Sequence, residues 1–335
     1  MNKGYIQHEG KVINTSEQFT HVMAITLDPR SGNKEGVIRC ITSREGDVMV
    51  KGYVDRSELR LIQGNSLKQF EIGERLQIKN EEEIIRGLTP EGYDFIGLED
   101  PDIWIDEKTD ELHLYFTLPL INKTDDIKNK IHLGHAVGKN LSSLEMTMPA
   151  LRADEIGGAK ELSIAPLNSK GVRYNLVESS KQEDDWMYSV VRIAEAKDMG
   201  QPWVFGDIVF HPKEQGIAWI GGHASPGPLF SEDFIDLGPG KKLGIMNGRE
   251  ANKNVDDKTL YGIFSVGLFI YDYEQGKIDW VSPEPFIRDT EARTITFASQ
   301  FVETGKGEGM LYAHVDDSFV RAYSLKEDDI KPLLP

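Results

Sequence analysis

Apolar and polar residues alternate in many short runs along this chain, and residues 97–119 show the pattern most clearly. Glu99-Asp100-Pro101 opens the stretch, and two short apolar runs follow with a polar turn between them. Two β-rich runs joined by such a turn predict a hairpin. Because proline cannot donate a hydrogen bond to a central strand ladder, Pro101 marks the start of the first strand. We therefore expect Asp100 at the mouth of a strand, where a β-scaffold can present a catalytic acid.

Similar runs recur along the chain, mostly in groups of three. The predicted hairpins begin at uneven intervals, near Asp102, Glu161, Asp207 and Thr294. This spacing argues against a fixed repeat of the WD type. We predict an all-β fold, a five-bladed β-propeller with a central funnel-shaped site, in which residues 1–335 form a single domain. A two-sheet β-sandwich is the alternative.

The remaining predicted strands are short. They lie at residues 5–13, 22–26, 36–42, 59–63, 131–137, 161–167, 172–178, 187–194, 207–210, 216–222, 262–271, 294–302, 310–315 and 319–325. Helical periodicity is limited to short turns at 81–86 and 140–146. We expect segment 5–13 to close the ring by pairing with the last group of strands. Residues 225–260, rich in Gly, Pro and Lys, are expected to form a long loop beside the site.

The composition narrows the classes of function. A hydrophobic share of 39% and a charged share of 28% are ordinary for a soluble globular protein. The net charge of −17 argues against nucleic acid or an anionic membrane as the main partner, and it leaves room for a local cationic pocket. The single cysteine and the lack of a hydrophobic leader in residues 1–18 favour a cytoplasmic location. The oligomeric state stays open, with a homo-oligomer among the options.

Two pairs of charged residues are the main candidates for chemistry. Asp100 would protonate a leaving oxygen, directly or by relay, and Glu99 would bind sugar hydroxyls. Lys160-Glu161 opens the next predicted hairpin in the same position relative to its strand, so both carboxylates would point into one funnel. The structural alternatives are an Asp-Pro turn that caps a strand and a solvated charge pair.

Other candidates lie near predicted strand ends. His223 follows two glycines that let a ligand approach closely, and the alternative is a half-buried histidine at a turn. Asp316 follows a strand, where a carboxylate contacts substrate or binds a neighbouring backbone amide. Five cations lie near predicted strand ends or in the long loop: Arg39, Arg44, Arg56, Arg249 and Lys253. Several of them would bind phosphate if they converge, with Arg44, Arg249 and Lys253 as the chosen candidates, although each alone is more typical of a surface charge.

Several common motifs are absent from the sequence. It has no Walker A loop, no Gly-x-Gly-x-x-Gly unit between a strand and a helix, and no Gly-x-Ser-x-Gly elbow. His132 and His135 have no obvious third ligand, so we predict no metal site.

The motifs above resemble those of a known enzyme superfamily. Glu99-Asp100-Pro101, followed by an apolar strand, is similar to the Glu-Asp-Pro-Arg signature of five-bladed propeller glycosidases and phosphorylases. Glycoside hydrolase family 130, the β-mannoside phosphorylases, is the most similar, and its sister glycosyltransferase family 108 is related. Further similar motifs follow in the same order, at 160–166, 216–223, 261–286 and 312–316.

The sequence also departs from that pattern. Asp102 stands where the family has Arg, and Glu161 stands where it has Asp. The arabinan-degrading propellers of family 43 are also similar, with Asp100 matching their pKa-tuning Asp and Glu161 their acid. That family needs a base Asp on the first inner strand, and residues 21–24 offer none.

The resemblance implies inverting phosphorolysis or glycosyl transfer at a β-mannoside-like bond, with an oligosaccharide or glycoside as the partner. Asp100 would be the general acid, Glu161 the second catalytic carboxyl, and inorganic phosphate a co-substrate with no other cofactor. The remaining residues would bind ligand: Glu99, Asp102, Lys160, His223 and Asp316 the sugar, and Arg44, Arg249 and Lys253 the phosphate. The alternatives are a hydrolase that uses Asp100 and Glu161 and a non-catalytic carbohydrate-binding propeller.

Overall fold

The computed structural model describes residues 7–13, 15, 18–124, 129–153, 157–183, 186–256 and 258–335. Within them the fold is all-β, as predicted, and the α-helices are short: Glu81–Leu88 (α1) and Glu327–Ile330 (α2). Single 3-10 turns occur at Pro29–Ser31, Pro212–Glu214, Ala218–Ile220 and Lys331–Leu333. None of the described helices is long and apolar enough to cross a membrane.

Strand β1 (Gln7–Lys11) is the first described strand along the chain and joins the last sheet. The first sheet is an antiparallel meander of β2 (Val22–Leu27), β3 (Glu35–Glu45), β4 (Val54–Ser66) and β5 (Gln69–Arg75). Every residue of β2 is buried, and all of them except Thr26 are apolar. Buried and partly exposed residues alternate along β4, because successive side chains point to opposite faces of a sheet.

The second sheet contains the hairpin predicted from residues 97–119. Its strands are β6 (Tyr93–Phe95), β7 (Glu99–Asp106), β8 (Glu111–Asn122), β9 (Lys130–Gly138) and β10 (Glu145–Met146). Both β6 and β7 pair with β8, and β9 pairs with the other edge of β8. Because β8 is paired on both edges, it lies in the interior of its sheet, and most of its residues are buried.

Eight further strands form one sheet made of two four-stranded halves. The first half is β11 (Lys160–Ser163), β12 (Arg173–Glu183), β13 (Trp186–Ala196) and β14 (Val204–Phe210). The second half is β15 (His223–Leu229), β16 (Lys241–Arg249), β19 (Phe264–Asp272) and β20 (Lys277–Val281), with the hairpin β17 (Lys253–Val255) and β18 (Lys258–Leu260) inserted after β16. A single parallel contact between Ser189 and His223 joins the halves, and we call them the third and fourth sheets.

The fifth sheet has the order β1–β23–β22–β21, with β21 (Thr296–Gly305), β22 (Glu308–Val315) and β23 (Phe319–Lys326). The first described strand therefore pairs with the last. This confirms the predicted pairing of segment 5–13 with the last group of strands over Gln7–Lys11.

Three predictions for residues 207–260 were wrong. Residues 207–210 belong to β14, the outer strand of the third sheet, and do not begin a new group. Residues 216–222 contain the 3-10 turn Ala218–Ile220, so His223 begins a strand and does not end one. The expected loop at 225–260 contains β16, whose glycines had suggested a loop. Gly244 and Gly248 are needed there because a Cβ would collide with the rings of Phe269 and Trp219.

Apolar cores join the five sheets in a cycle. Each sheet shares one core with the next along the chain. The fifth sheet shares another with the first, in which Tyr312 and Ile38 are both fully buried. Five strands, β2, β7, β11, β15 and β21, contact one another in the same cyclic order, and we call them the central strands.

Candidate active site

Three of these central strands carry a bulge whose extra residue has a left-handed backbone. The residues are Ala24 in β2, Asp100 in β7 and Glu161 in β11, with φ of 49°, 47° and 50°. Non-glycine residues in this conformation are uncommon, and they cluster at functional sites. The bulges place Asp100 and Glu161 in equivalent positions on neighbouring sheets, as expected from the sequence. The equivalent position in the first sheet has no carboxylate.

Arg39 on β3 binds both carboxylates at the start of β7. Its Nη1 lies 3.0 Å from Asp100 Oδ1, and its Nη2 lies 2.5 Å from Glu99 Oε1. Burial raises the pKa of Glu99 to about 7, although the charge of Arg39 opposes this shift. The charges of Glu99 and Asp100 raise the pKa of Arg39 against the effect of its own burial. Arg39 was one of the candidate cations near predicted strand ends, and it contacts both carboxylates of the Glu99-Asp100 pair.

The Glu161 carboxyl lies in different electrostatic surroundings from those of the Glu99-Asp100 pair. Its pKa is raised well above the usual range, first by burial and next by the negative charge of Asp100. The charge of Lys160 opposes this shift, but among the described residues no cation lies within 4.0 Å of the Glu161 carboxyl. Glu161 therefore keeps its proton at a pH where Asp100 is paired with a guanidinium.

Glu178 on β12 is a buried carboxylate that contacts two of the residues predicted to bind substrate. Its Oε1 lies 3.4 Å from Lys160 Nζ, and its Oε2 lies 3.0 Å from His223 Nε2. Burial raises the pKa of Glu178, but His223 and Lys160 outweigh it and hold the carboxyl below its usual range. Burial lowers the pKa of His223 to about 4, so the ring that faces Glu178 is neutral at pH 7.

Arg249 lies beside this group, paired with His223 in the register of β15 and β16. Its guanidinium carbon is 4.4 Å from the ring centroid of Tyr261 and 5.3 Å from that of Phe264. Burial lowers its pKa, its Nε has no hydrogen-bond partner, and no carboxylate of the described residues is within ion-pair distance. Two cations, Lys160 and Arg249, thus lie with the neutral ring of His223 near Glu161, and we call these three residues the anion subsite.

The other two predicted phosphate ligands lie elsewhere. Arg44 binds Asp55 through two hydrogen bonds of 2.7 Å and donates to the carbonyl of Asp317, so its Nε and Nη2 are occupied. Lys253 is exposed in the inserted hairpin, 3.9 Å from Glu250. Neither side chain is part of the anion subsite.

Asp316 and Asp317 have different surroundings. The carboxylate of Asp316 accepts hydrogen bonds from the backbone N–H groups of residues 293, 294 and 295, all at 2.9 Å. This matches the backbone-binding alternative for Asp316. Asp317 accepts from Tyr53 Oη at 2.9 Å and lies 3.2 Å from His314 Nε2. Despite burial, these contacts and the charge of Arg39 lower the pKa of Asp317 to about 2.

Asp102 lies one position beyond the bulge and opposite Tyr115 on β8. Burial raises its pKa to about 7, and the hydrogen bond to the backbone of Ile103 lowers it only partly. No charged group contributes to this shift, which separates Asp102 from the cluster around Arg39.

One further cluster contains side chains of the kind that bind metal ions. Glu183, His211 and Glu214 bring possible ligand atoms within 4.8 Å of one another. Lys181 and Lys213 already neutralise Glu183, and the backbone N–H of Lys213 donates to His211 Nδ1. The neutral ring then carries its hydrogen on Nε2, the atom that faces Glu183. This arrangement fits an ion-pair cluster better than a metal centre.

Comparison with known proteins supports the resemblance at the level of fold. No protein-family model and no curated protein sequence matches the chain. A structure reported for the GH130 family of mannoside phosphorylases, which contains hydrolases of β-1,2 mannosidic linkages in Candida mannan, has 16% identity and a TM-score of 0.66. It covers 98% of this chain and 96% of its own.

Two further structures extend the comparison. A β-1,2-mannobiose phosphorylase from Listeria innocua has 15% identity, covers 99% of this chain and 93% of its own, and has a TM-score of 0.62. A GDP-Man-dependent mannosyltransferase from Leishmania mexicana has 13% identity, covers 94% and 88%, and has a TM-score of 0.53. At these identities the comparison establishes a shared fold.

Proposed function

We propose that this protein is a carbohydrate-active enzyme that performs inverting phosphorolysis, or the reverse transfer, at a β-mannoside-like glycosidic bond. The observation that carries the proposal is the anion subsite beside the carboxyl pair. Lys160, His223 and Arg249 converge there, and Arg249 is a partly buried cation whose Nε has no hydrogen-bond partner. Fixed cations next to a proton donor are what an enzyme needs to hold phosphate in line with a glycosidic bond.

We further propose that the five sheets are the blades of a five-bladed β-propeller. The cyclic sharing of cores and the cyclic contacts of the central strands support this architecture. The fold shared with mannoside phosphorylases supports it as well. In such a ring the bulges of Asp100 and Glu161 would face a common funnel.

Electrostatics favour Glu161 as the proton donor. A general acid must hold a proton before the reaction, and Glu161 lacks a cation within ion-pair distance whereas Asp100 is paired with Arg39. A phosphate oxygen would form a bond to the anomeric carbon while the bond to the leaving oxygen breaks. The leaving oxygen would take the proton of Glu161, and the charge of Asp100 would keep that proton in place until then.

The resemblance to family 130 favours the other assignment, with Asp100 as the acid. The Glu99-Asp100-Pro101 motif and its position at a bulge support that alternative. In it, Asp100 would need to gain a proton when substrate displaces Arg39.

A hydrolase is the second candidate, and it needs a carboxylate base about 6.5–9.5 Å from the acid to activate water. Asp100 would be the base in that alternative, whereas the unpaired cation Arg249 favours phosphate as the nucleophile. Ala24 occupies the bulge equivalent to Asp100 and Glu161 in the first sheet. Asp317 is a weak base because its pKa is about 2.

The test is product analysis with manno-oligosaccharides, including β-1,2-mannobiose, with and without inorganic phosphate. A sugar 1-phosphate that forms only with phosphate is the expected result. Free monosaccharide at equal rates in both reactions would overturn phosphorolysis in favour of hydrolysis. Sugar binding without product under either condition would overturn the enzymatic proposal.

A further inference from the structure

Two loops from the first and fourth sheets pair with each other. Val50 and Leu260 form an isolated antiparallel bridge. The N–H of Tyr261 donates to the carbonyl of Met49 at 3.0 Å, and a second backbone hydrogen bond flanks the bridge on the other side. We call the two paired segments, residues 47–53 and 258–261, the strap. The first and fourth sheets are not consecutive along the chain, and the strap joins them where Val48, Met49 and Tyr53 pack in a small apolar cluster with Phe264.

The strap ends in two tyrosines that reach the candidate site. The rings of Tyr53 and Tyr261 meet edge to face, with centroids 6.3 Å apart. Tyr53 donates its hydroxyl to Asp317, and Tyr261 lies against Arg249. Each partner in the aromatic contact therefore holds one charged residue of the site.

The way in which Arg249 is held matters for its chemistry. Arg39 and Arg44 are each fixed by carboxylates, which accept hydrogen bonds from two nitrogens of each guanidinium. Arg249 is fixed by the ring faces of Tyr261 and Phe264. A ring face attracts the cation through its quadrupole and leaves the in-plane N–H donors unused. A guanidinium held in this way is prepared to bind an anion in a bidentate manner.

We propose that Tyr261 is a positioning residue of the anion subsite, and that the strap holds its ring against Arg249. The proposal rests on the proposed function in identifying the anion as phosphate. Tyr261 itself takes no part in bond formation. It fixes the guanidinium, and the pairing of residues 47–53 with 258–261 fixes Tyr261.

The test is phosphate binding to the full chain by calorimetry, with wild type, Tyr261→Phe and Tyr261→Leu. The cation–π contact predicts about tenfold weaker phosphate binding for Tyr261→Leu and binding within about twofold of wild type for Tyr261→Phe. In turnover, the KM for phosphate should rise by a similar factor while kcat changes by less than about twofold. Equal binding by all three proteins would overturn the proposal and leave the proposed function intact.

Lys51→Pro tests the strap without touching either ring. It removes the backbone N–H that donates to the carbonyl of Thr259. Weaker phosphate binding by this variant would support the strap as the element that positions Tyr261, and unchanged binding would overturn that part.

A crystal structure of Tyr261→Leu separates this proposal from the proposed function, because it needs no ligand. A displaced Arg249 guanidinium supports the positioning role, and an unmoved one overturns it. If wild type does not bind phosphate, phosphorolysis falls while this structural test still decides the role of Tyr261.

Discussion

Asp100 and Glu161 occupy equivalent left-handed bulge positions in neighbouring central strands, with φ of 47° and 50°. Although both residues lie at the same kind of bulge, the charges around their carboxyl groups differ. Asp100 is 3.0 Å from Arg39, whereas the charge of Asp100 and burial raise the pKa of Glu161. Carboxyl groups whose surroundings separate their protonation states are typical of acid–base pairs in active sites.

Removing the guanidinium of Arg39 should destabilise the fold strongly. Arg39→Gln would leave Glu99 and Asp100 buried without a cation, at a cost of about 3–5 kcal/mol at pH 8. The folded pKa of Glu99, already raised to about 7 by burial, would rise further without the cation, so the variant loses stability relative to wild type as pH rises past that value. The penalty should therefore be smaller at pH 5, which urea unfolding at both pH values measures.

Arg56→Gln is the matched control for that variant. Arg56 is paired with Asp94 at 2.6 Å, but both side chains are more than 40% exposed. The loss should be at most about 1 kcal/mol at either pH. A loss for Arg39→Gln that is equally small would contradict the role given to Arg39.

Ionisation of the buried Asp102 carboxyl should lower the stability of the fold at high pH. The folded pKa of about 7 lies above the usual value of 3.8, so stability falls as pH rises from about 4 to about 7. Asp102→Asn should therefore gain about 1–3 kcal/mol relative to wild type at pH 8 and little at pH 4. Thermal or urea unfolding across this range measures the difference. Glu107→Gln, in the exposed turn of the same hairpin, should show no such trend.

The strap should accept an engineered disulfide. The hydrogen bonds flanking Val50 and Leu260 make them a non-hydrogen-bonded pair, for which a Cα separation of about 4.5 Å is usual and suits a disulfide. Oxidised Val50→Cys/Leu260→Cys should be about 2–4 kcal/mol more stable than its reduced form and should bind phosphate as wild type does. The native Cys40 is buried and its pKa is raised to about 12, so it should not compete.

Each single cysteine variant is the control for the disulfide. Neither should respond to oxidant. Loss of phosphate binding on oxidation of the double variant, restored by reductant, would show that the paired strap is not the binding form.

The sequence predicts the residues that begin strands better than those inside them. Asp100 and Glu161 were identified because each precedes an apolar run in a similar way. Arg39 was one of five candidate cations but was not chosen, because its partners Glu99 and Asp100 lie on the second sheet, and Glu178 was missed because its partner His223 lies on the fourth. A local signal did exist, since Arg39 interrupts the apolar run 37–41 and is only 8% exposed.

Contacts between distant segments explain the other differences. Nothing near Arg44 or Arg249 in sequence indicates that the first is paired with Asp55 while the second lies between two aromatic rings. Asp316 and Asp317 are adjacent, and only the fold decides which binds backbone amides and which joins Tyr53. The strap pairs residues about two hundred positions apart, so no local pattern predicts it.

The division of roles between Asp100 and Glu161 is tested most directly by varying the leaving group. The measurement is kcat/KM with phosphate for Glu161→Gln and Asp100→Asn, on an unactivated manno-oligosaccharide and on a nitrophenyl β-mannoside whose leaving group needs no proton. Glu161→Gln should lose about 10²–10⁴-fold on the oligosaccharide and less than about tenfold on the nitrophenyl substrate. Asp100→Asn should lose similar factors on both. The reverse pattern, with only Asp100→Asn rescued by the activated substrate, would contradict the account and make Asp100 the acid.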